Sequence, residues 1–155
     1  MAAKNDVSDR EIVQSRVFDF PRELVFKAWT EPEHFKVWMG PNGYTNTMIE
    51  FDLKVGGRAR YIMHGPDGTD WPNRLSFKEI RKPELLAYAH GDADEEAAGD
   101  FQVRVTFEAL GPTSTKLTMR MLFPSAEACE AVKKFGAVEL GQQTLTKLGE
   151  HLKKM

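Results

Sequence analysis

The sequence predicts an α+β fold, a curved antiparallel sheet of about seven strands wrapped round a long C-terminal helix, in the order β-α-α, about six strands, α. Three observations carry this prediction. Between Tyr44 and Pro124 apolar residues recur at every second position, as in Phe101, Val103, Val105 and Phe107 against Gln102, Arg104, Thr106 and Glu108. Turn residues such as Gly65-Pro66-Asp67-Gly68, Lys82-Pro83 and Gly111-Pro112 separate these runs too closely for crossovers, so successive strands pair antiparallel. The C-terminal segment then returns to helical spacing, with Val132, Phe135, Val138, Leu145, Leu148 and Leu152 in one apolar stripe.

Each element has a local reason. EIVQSRVF has strand composition and stops at Phe20-Pro21, because proline pre-sets φ for a first helical turn. RELVFKAW follows with Val25, Ala28 and Trp29 on one helix face. Thr30-Glu31-Pro32-Glu33 has the capping-box form and predicts a second short helix with Phe35 and Trp38 inward, ended by Gly40-Pro41-Asn42-Gly43. The strands TNTMIEFDL, GRARYIMH, RLSFKEI and LLAYAH come next, then the two alternating runs ending at Phe107 and Phe123. Ser125 is a predicted N-cap for the last helix. That helix carries Gly136, Gly141 and Gly149 inside it, each costing about 1 kcal/mol against alanine, so they predict a close approach to the sheet or a bend.

Composition narrows the function classes. A length of 155 residues predicts one domain over 10–155 behind a flexible tail at 1–9. Lys plus Arg is 21 and Asp plus Glu is 23, a net charge of −2 that argues against nucleic-acid binding through bulk charge. A single cysteine, Cys129, leaves no intrachain disulfide and no cysteine-based zinc site. The polar N-terminus is no signal peptide and no run is long enough to insert into a membrane, so the expected location is cytoplasmic.

Phe20-Pro21-Arg22-Glu23-Leu24-Val25-Phe26-Lys27-Ala28-Trp29-Thr30-Glu31-Pro32-Glu33-His34, Trp38-Met39-Gly40-Pro41, Asp52-Leu53-Lys54-Val55-Gly56-Gly57-Arg58 and the closing Glu150-His151-Leu152 carry a resemblance. Together they resemble the helix-grip superfamily of START, SRPBCC and birch-pollen-allergen-like domains, in the branch named after the activator of the heat-shock-protein-90 ATPase. The likeness runs over residues 12–153. One departure is Trp38-Met39 where the family usually has two tryptophans before Gly-Pro, which implies a wider or more pliable pocket mouth. The resemblance implies an apolar cavity between helix and sheet. It implies no reaction, since the superfamily contains carriers, receptors and cyclases alike.

The candidate site follows from that cavity. The expected ligand-binding wall is Trp38, Met39, Ile62, His64, Phe77 and Tyr88 together with Val103, Val105, Met119, Met121 and Phe135. If Arg60, Ile62 and His64 face inward, Arg60 and His64 place a cation and a titratable ring there, suited to an amphiphile such as a fatty acid or polyphenol. A register slip of one residue reverses that reading and leaves the orientation of Arg58, Arg60, Tyr61 and His64 open. His34, His64, His90 and His151 lack metal-site spacing, and Asp92-Ala93-Asp94-Glu95-Glu96 lacks the EF-hand glycine and terminal Glu, so neither a metal nor a cofactor is expected. No G-x-S-x-G is present and Cys129 has no evident histidine partner, so no catalytic residue is nominated. The leading expectation is non-catalytic binding of a small apolar or amphiphilic ligand by a monomer or homodimer, in a cavity of several hundred Å³. A chaperone-ATPase-activator role toward a partner protein comes second, weakened because the eukaryotic activator's companion domain is not expected in a chain ending at Met155. A cyclase- or hydrolase-like enzyme comes third, with only His64 and Arg60, helped by Tyr88, as a candidate titratable group.

Overall fold

The computed structural model describes residues 8–92 and 96–155. Residues 1–7 of the expected tail and residues 93–95 of the acidic run lie outside them, and Ser8–Arg10 forms a 3-10 turn. Strand β1 (Glu11–Phe18) leads into helices α1 (Arg22–Thr30) and α2 (Pro32–Trp38). Six strands follow: β2 (Thr45–Phe51), β3 (Arg58–His64), β4 (Asp70–Arg81), β5 (Leu85–Gly91), β6 (Phe101–Gly111) and β7 (Ser114–Leu122). They form one antiparallel sheet in the order β1-β7-β6-β5-β4-β3-β2, so α1 and α2 carry the chain from one edge strand to the other.

The C-terminal stretch is two helices where one was expected. Helix α3 (Ala126–Lys134) is capped by Ser125, whose Oγ accepts from the Ala128 N–H at 3.1 Å. Gly136, at φ 96°, then turns the chain into α4 (Ala137–Leu152). A side chain at that φ would crowd its own carbonyl, and glycine has none. The expected capping box at Thr30 does not form. The Thr30 hydroxyl donates back to the Phe26 carbonyl at 2.8 Å, and α2 starts after Glu31 with Pro32 in its first turn, where a missing N–H leaves nothing unpaired.

Aromatic packing seats the helices on one face of the sheet, the inner face. Trp29 and Trp38 meet edge-on with centroids 4.8 Å apart, and Phe35 meets Tyr61 of β3 at 5.4 Å. Leu145, Leu148 and Leu152 of α4 bury into the same core, while Ile12, Phe123 and Cys129 form a second, smaller cluster beneath α3. Cys129 is a buried free thiol. Polar bonds also hold α4 from its exposed sides. Arg16 donates to Thr146 Oγ1 and Gln142 Oε1, both at 2.7 Å, and Lys147 Nζ donates to the carbonyls of Pro41 and Tyr44 at 3.1 and 3.2 Å.

On the outer face the turn from Ala97 to Asp100 meets the sheet. Arg74 of β4 is 1% exposed there and is paired with Asp100, and its Nε donates to Ser76 Oγ at 2.9 Å. Two desolvated opposite charges in contact hold that loop against the strand.

Candidate functional site

A cavity of about 130 Å³ lies between the first half of α4 and the inner face of the sheet. Its floor is Tyr88, His90, Phe101, Val103, Met119 and Met121 from β5, β6 and β7. Alternation within those strands aims all six the same way, as the register shows by pairing Tyr88 with Val103 and Val103 with Met121. Its roof is Ala137, Gly141 and Thr144, small residues one helical turn or so apart on α4, which is why a gap persists under the helix. Gln14 of β1, Trp29 of α1 and Met39 after α2 complete it.

Polar groups in this lining fall into two kinds. His90 is satisfied: its Nε2 lies 2.7 Å from Asn73 Oδ1 and takes the donor role toward that carbonyl oxygen. Burial first, and the nearby Arg74 second, push the His90 pKa down from 6.5 to about 4, so the ring is neutral at pH 7. Burial likewise raises the phenol of Tyr88 and keeps it protonated. Gln14 Oε1 and Trp29 Nε1, by contrast, are buried with no hydrogen-bond partner. The Trp29 indole differs in this from its neighbour Trp38, whose Nε1 donates to the Ala28 carbonyl at 3.0 Å.

A second hollow, an open groove of about 220 Å³, lies beside the cavity between Pro41, Tyr44, Met63, Trp71, Phe135 and Leu140. Asn73 lines the groove and His90 lines the cavity, so the hydrogen bond between them stands at the partition.

The sequence expectations divide accordingly. Met39, Tyr88, Val103, Met119 and Met121 line the cavity. Trp38, Phe77 and Val105 face inward but are sealed in the core, Phe77 against Phe51 at 5.8 Å and Val105 at 0% exposure. Phe135 is a correction: it ends α3, 71% exposed, and borders only the outer groove. The inward reading of Arg60, Ile62 and His64 is also corrected, because Tyr61 between them buries against Phe35 and its strand neighbours must take the opposite face. Arg60 lies 3.5 Å from Glu50, and His64 bridges Thr47 and Asp70, each at 2.7 Å. The group of His64 and Arg60 with Tyr88 is therefore split across the sheet.

Gln14, Trp29, His90, Phe101, Ala137, Gly141 and Thr144 were not foreseen. Gly141 offered the one usable signal. A Cβ built there would lie 2.1 Å from Gln14 Oε1, so glycine is what lets the amide pack against the helix. Away from the cavity, Glu31, Glu33 and His34 bring ligand-type atoms within 4.8 Å of one another, and His34 Nδ1 lies 3.0 Å from His151 Nε2. No helix among the described residues is long and apolar enough to cross a membrane.

The fold has many solved counterparts. A protein of Nitrosomonas europaea superposes with a TM-score of 0.86 at 22% identity, covering 95% of this chain and 96% of its own. A protein of Arthrobacter aurescens gives 0.87 at 27% identity, covering 99% and 92%. An AHSA1-like protein of Aeromonas hydrophila gives 0.73 at 20% identity, covering 93% and 92%. Among curated proteins none matches the chain in sequence. The family model described as activator of Hsp90 ATPase homolog 1-like protein matches residues 19–153, and with the seven-stranded antiparallel sheet closed over α4 this places the chain in that family, within the START/SRPBCC type of fold.

Proposed function

We propose that this protein binds and carries a small hydrophobic or amphiphilic molecule, without chemistry, in the cavity between α4 and the sheet. The observation that carries the reading is the gap itself. Interiors pack to crystal-like density, and a hollow of about 130 Å³ under a helix that places only small residues over it is space this packing leaves for a guest. The volume falls below the several hundred Å³ expected, so the ligand in this conformation is ring-sized and not a long acyl chain. Met39, Met119 and Met121 give the lining three unbranched side chains that can rearrange round a guest.

The test is native mass spectrometry of the purified protein, with identification of whatever denaturation releases, beside the variant Ala137→Phe. A phenylalanine there adds a ring to a cavity of ring size. The reading expects a discrete small molecule with the native chain and none with the variant. The same molecule retained by Ala137→Phe sinks the cavity as its seat. A bare mass, together with no thermal stabilisation by small aromatic probes, turns the case toward a chaperone or other protein partner, as the family name suggests.

A further inference from the structure

We infer that Thr47, on the outer face of the sheet, is a nucleophile activated by His64 and Asp70, and that it accepts an acyl group from a small activated ester or thioester. The site lies on the face opposite the cavity and stands independently of the ligand-binding reading.

The register of three strands builds it. The β3–β4 hairpin turns through Gly65-Pro66-Asp67-Gly68, where the Gly65 N–H donates to the Thr69 carbonyl at 2.8 Å and Gly68 takes φ 86°. That turn sets His64 directly opposite Asp70, and Ile62 opposite Pro72. On its other side β3 pairs with the edge strand β2, where Thr47 stands opposite Ile62 and Thr45 opposite His64. Alternation puts all six of these residues on the outer face, so His64 reaches Thr47 along the cross-strand diagonal.

Hydrogen bonding assigns the roles. A carboxylate only accepts, so the 2.7 Å contact of Asp70 Oδ1 with His64 Nδ1 places the ring proton on Nδ1. In the neutral ring Nε2 is then an acceptor, and the Thr47 hydroxyl, 2.7 Å away, donates to it. A hydroxyl held on an imidazole that a carboxylate orients is the arrangement that makes an alcohol nucleophilic. Thr47 is exposed, so a reagent can reach it, and Ile62 and Pro72 beside it offer an acyl group apolar contact. The side chains of His64 and Asp70 are 36% and 63% exposed, an open site suited to a single transfer onto Thr47.

In that transfer Thr47 Oγ bonds to the acyl carbonyl carbon while its proton passes to His64 Nε2. The bond from that carbon to the leaving oxygen or sulfur then breaks. The leaving group departs with the electron pair and takes the proton from Nε2. An ester on Thr47 and a free alcohol or thiol result, with nothing oxidised or reduced.

The experiment exposes the whole chain to p-nitrophenyl acetate and follows acetylation by peptide mass spectrometry, with hydroxylamine separating esters from lysine amides. Thr45, exposed on the same strand, is the internal reference. Thr47 should be acetylated about a hundredfold or more faster than Thr45, the scale of general-base assistance. His64→Gln should remove that advantage and Thr47→Ser should keep it. Asp70 acts by positioning the ring: nitrogen-15 shifts of His64 should report Nδ1–H in wild type and mixed tautomers in Asp70→Ala. Thr47 labelled no faster than Thr45, or labelled equally in His64→Gln, overturns the inference, as does acetyl carried by His64 in place of Thr47. An unchanged tautomer in Asp70→Ala overturns the role given to the carboxylate. If a variant does not fold, the wild-type ratio of Thr47 to Thr45 decides alone.

Discussion

Acidifying the protein to pH 5 should cost it about 2 kcal/mol of stability through His90 alone. The ring titrates at about 4 in the fold and at 6.5 when exposed. Because the folded value is the lower, the unfolded chain binds more protons between those limits, and stability falls as pH falls through that window. Above pH 6.5 neither state holds the proton and the contribution is complete. At pH 5 the unfolded ring is almost fully charged and the folded ring is not, which gives about 2 kcal/mol at 1.36 kcal/mol per unit of displacement. The comparison is His90→Gln, whose amide can still donate to Asn73 but does not titrate. Urea unfolding at pH 7.5 and pH 5 reads the difference, and with a slope of about 1–3 kcal/mol/M the wild-type midpoint should drop by about 1 M more than the variant's. The other three histidines are common to both chains and cancel. Equal losses in wild type and His90→Gln would refute both the depressed pKa and its origin in burial.

Two further substitutions probe the frame round the site. Arg74→Ala leaves Asp100 desolvated without its partner and should cost about 3–5 kcal/mol, read as a thermal midpoint lower by roughly 10 °C, whereas an unchanged midpoint would mean the pair is solvated. Gly136→Ala forces a side chain into φ 96° and should cost about 1–2 kcal/mol in chemical denaturation; a gain, as expected in an ordinary helix interior, would argue for one continuous helix.

Much of the sheet was legible because its alternation is regular from Phe101 to Phe123, where burial on one face alone sets the residue choice. Strand β3 was not. Arg-Ala-Arg-Tyr-Ile-Met-His puts apolar residues at both parities, and only the contact of Tyr61 with Phe35, distant in sequence, selects Ala59, Tyr61 and Met63 as the inner set. Strand β1 misleads more strongly: Val13 and Val17 are about half exposed, while Gln14 faces the core. A polar residue that bonds to the Val138 carbonyl of α4 looks like a surface residue until that helix is placed above it. The break in the last helix was half legible, since Gly136 signalled a bend but the stripe from Val132 to Leu152 runs straight through it. The cavity lining was legible where it is apolar and strand-borne, as at Val103, Met119 and Met121, and illegible where helix meets sheet.

The division of the C-terminal stretch into α3 and α4 also bears on how fast a guest can leave. Helix α3 anchors a single fully buried residue, Cys129, whereas α4 anchors Leu145, Leu148 and Leu152, so the two helices belong to different tiers of local stability. Ala137, at the first turn of α4, joins the roof of the cavity to the small cluster beneath α3. Detachment of α3 therefore loosens the roof at one end while the three leucines keep α4 seated at the other. On the ligand-binding proposal, the residence time of a guest follows the frequency of that partial opening and needs no unfolding of the sheet.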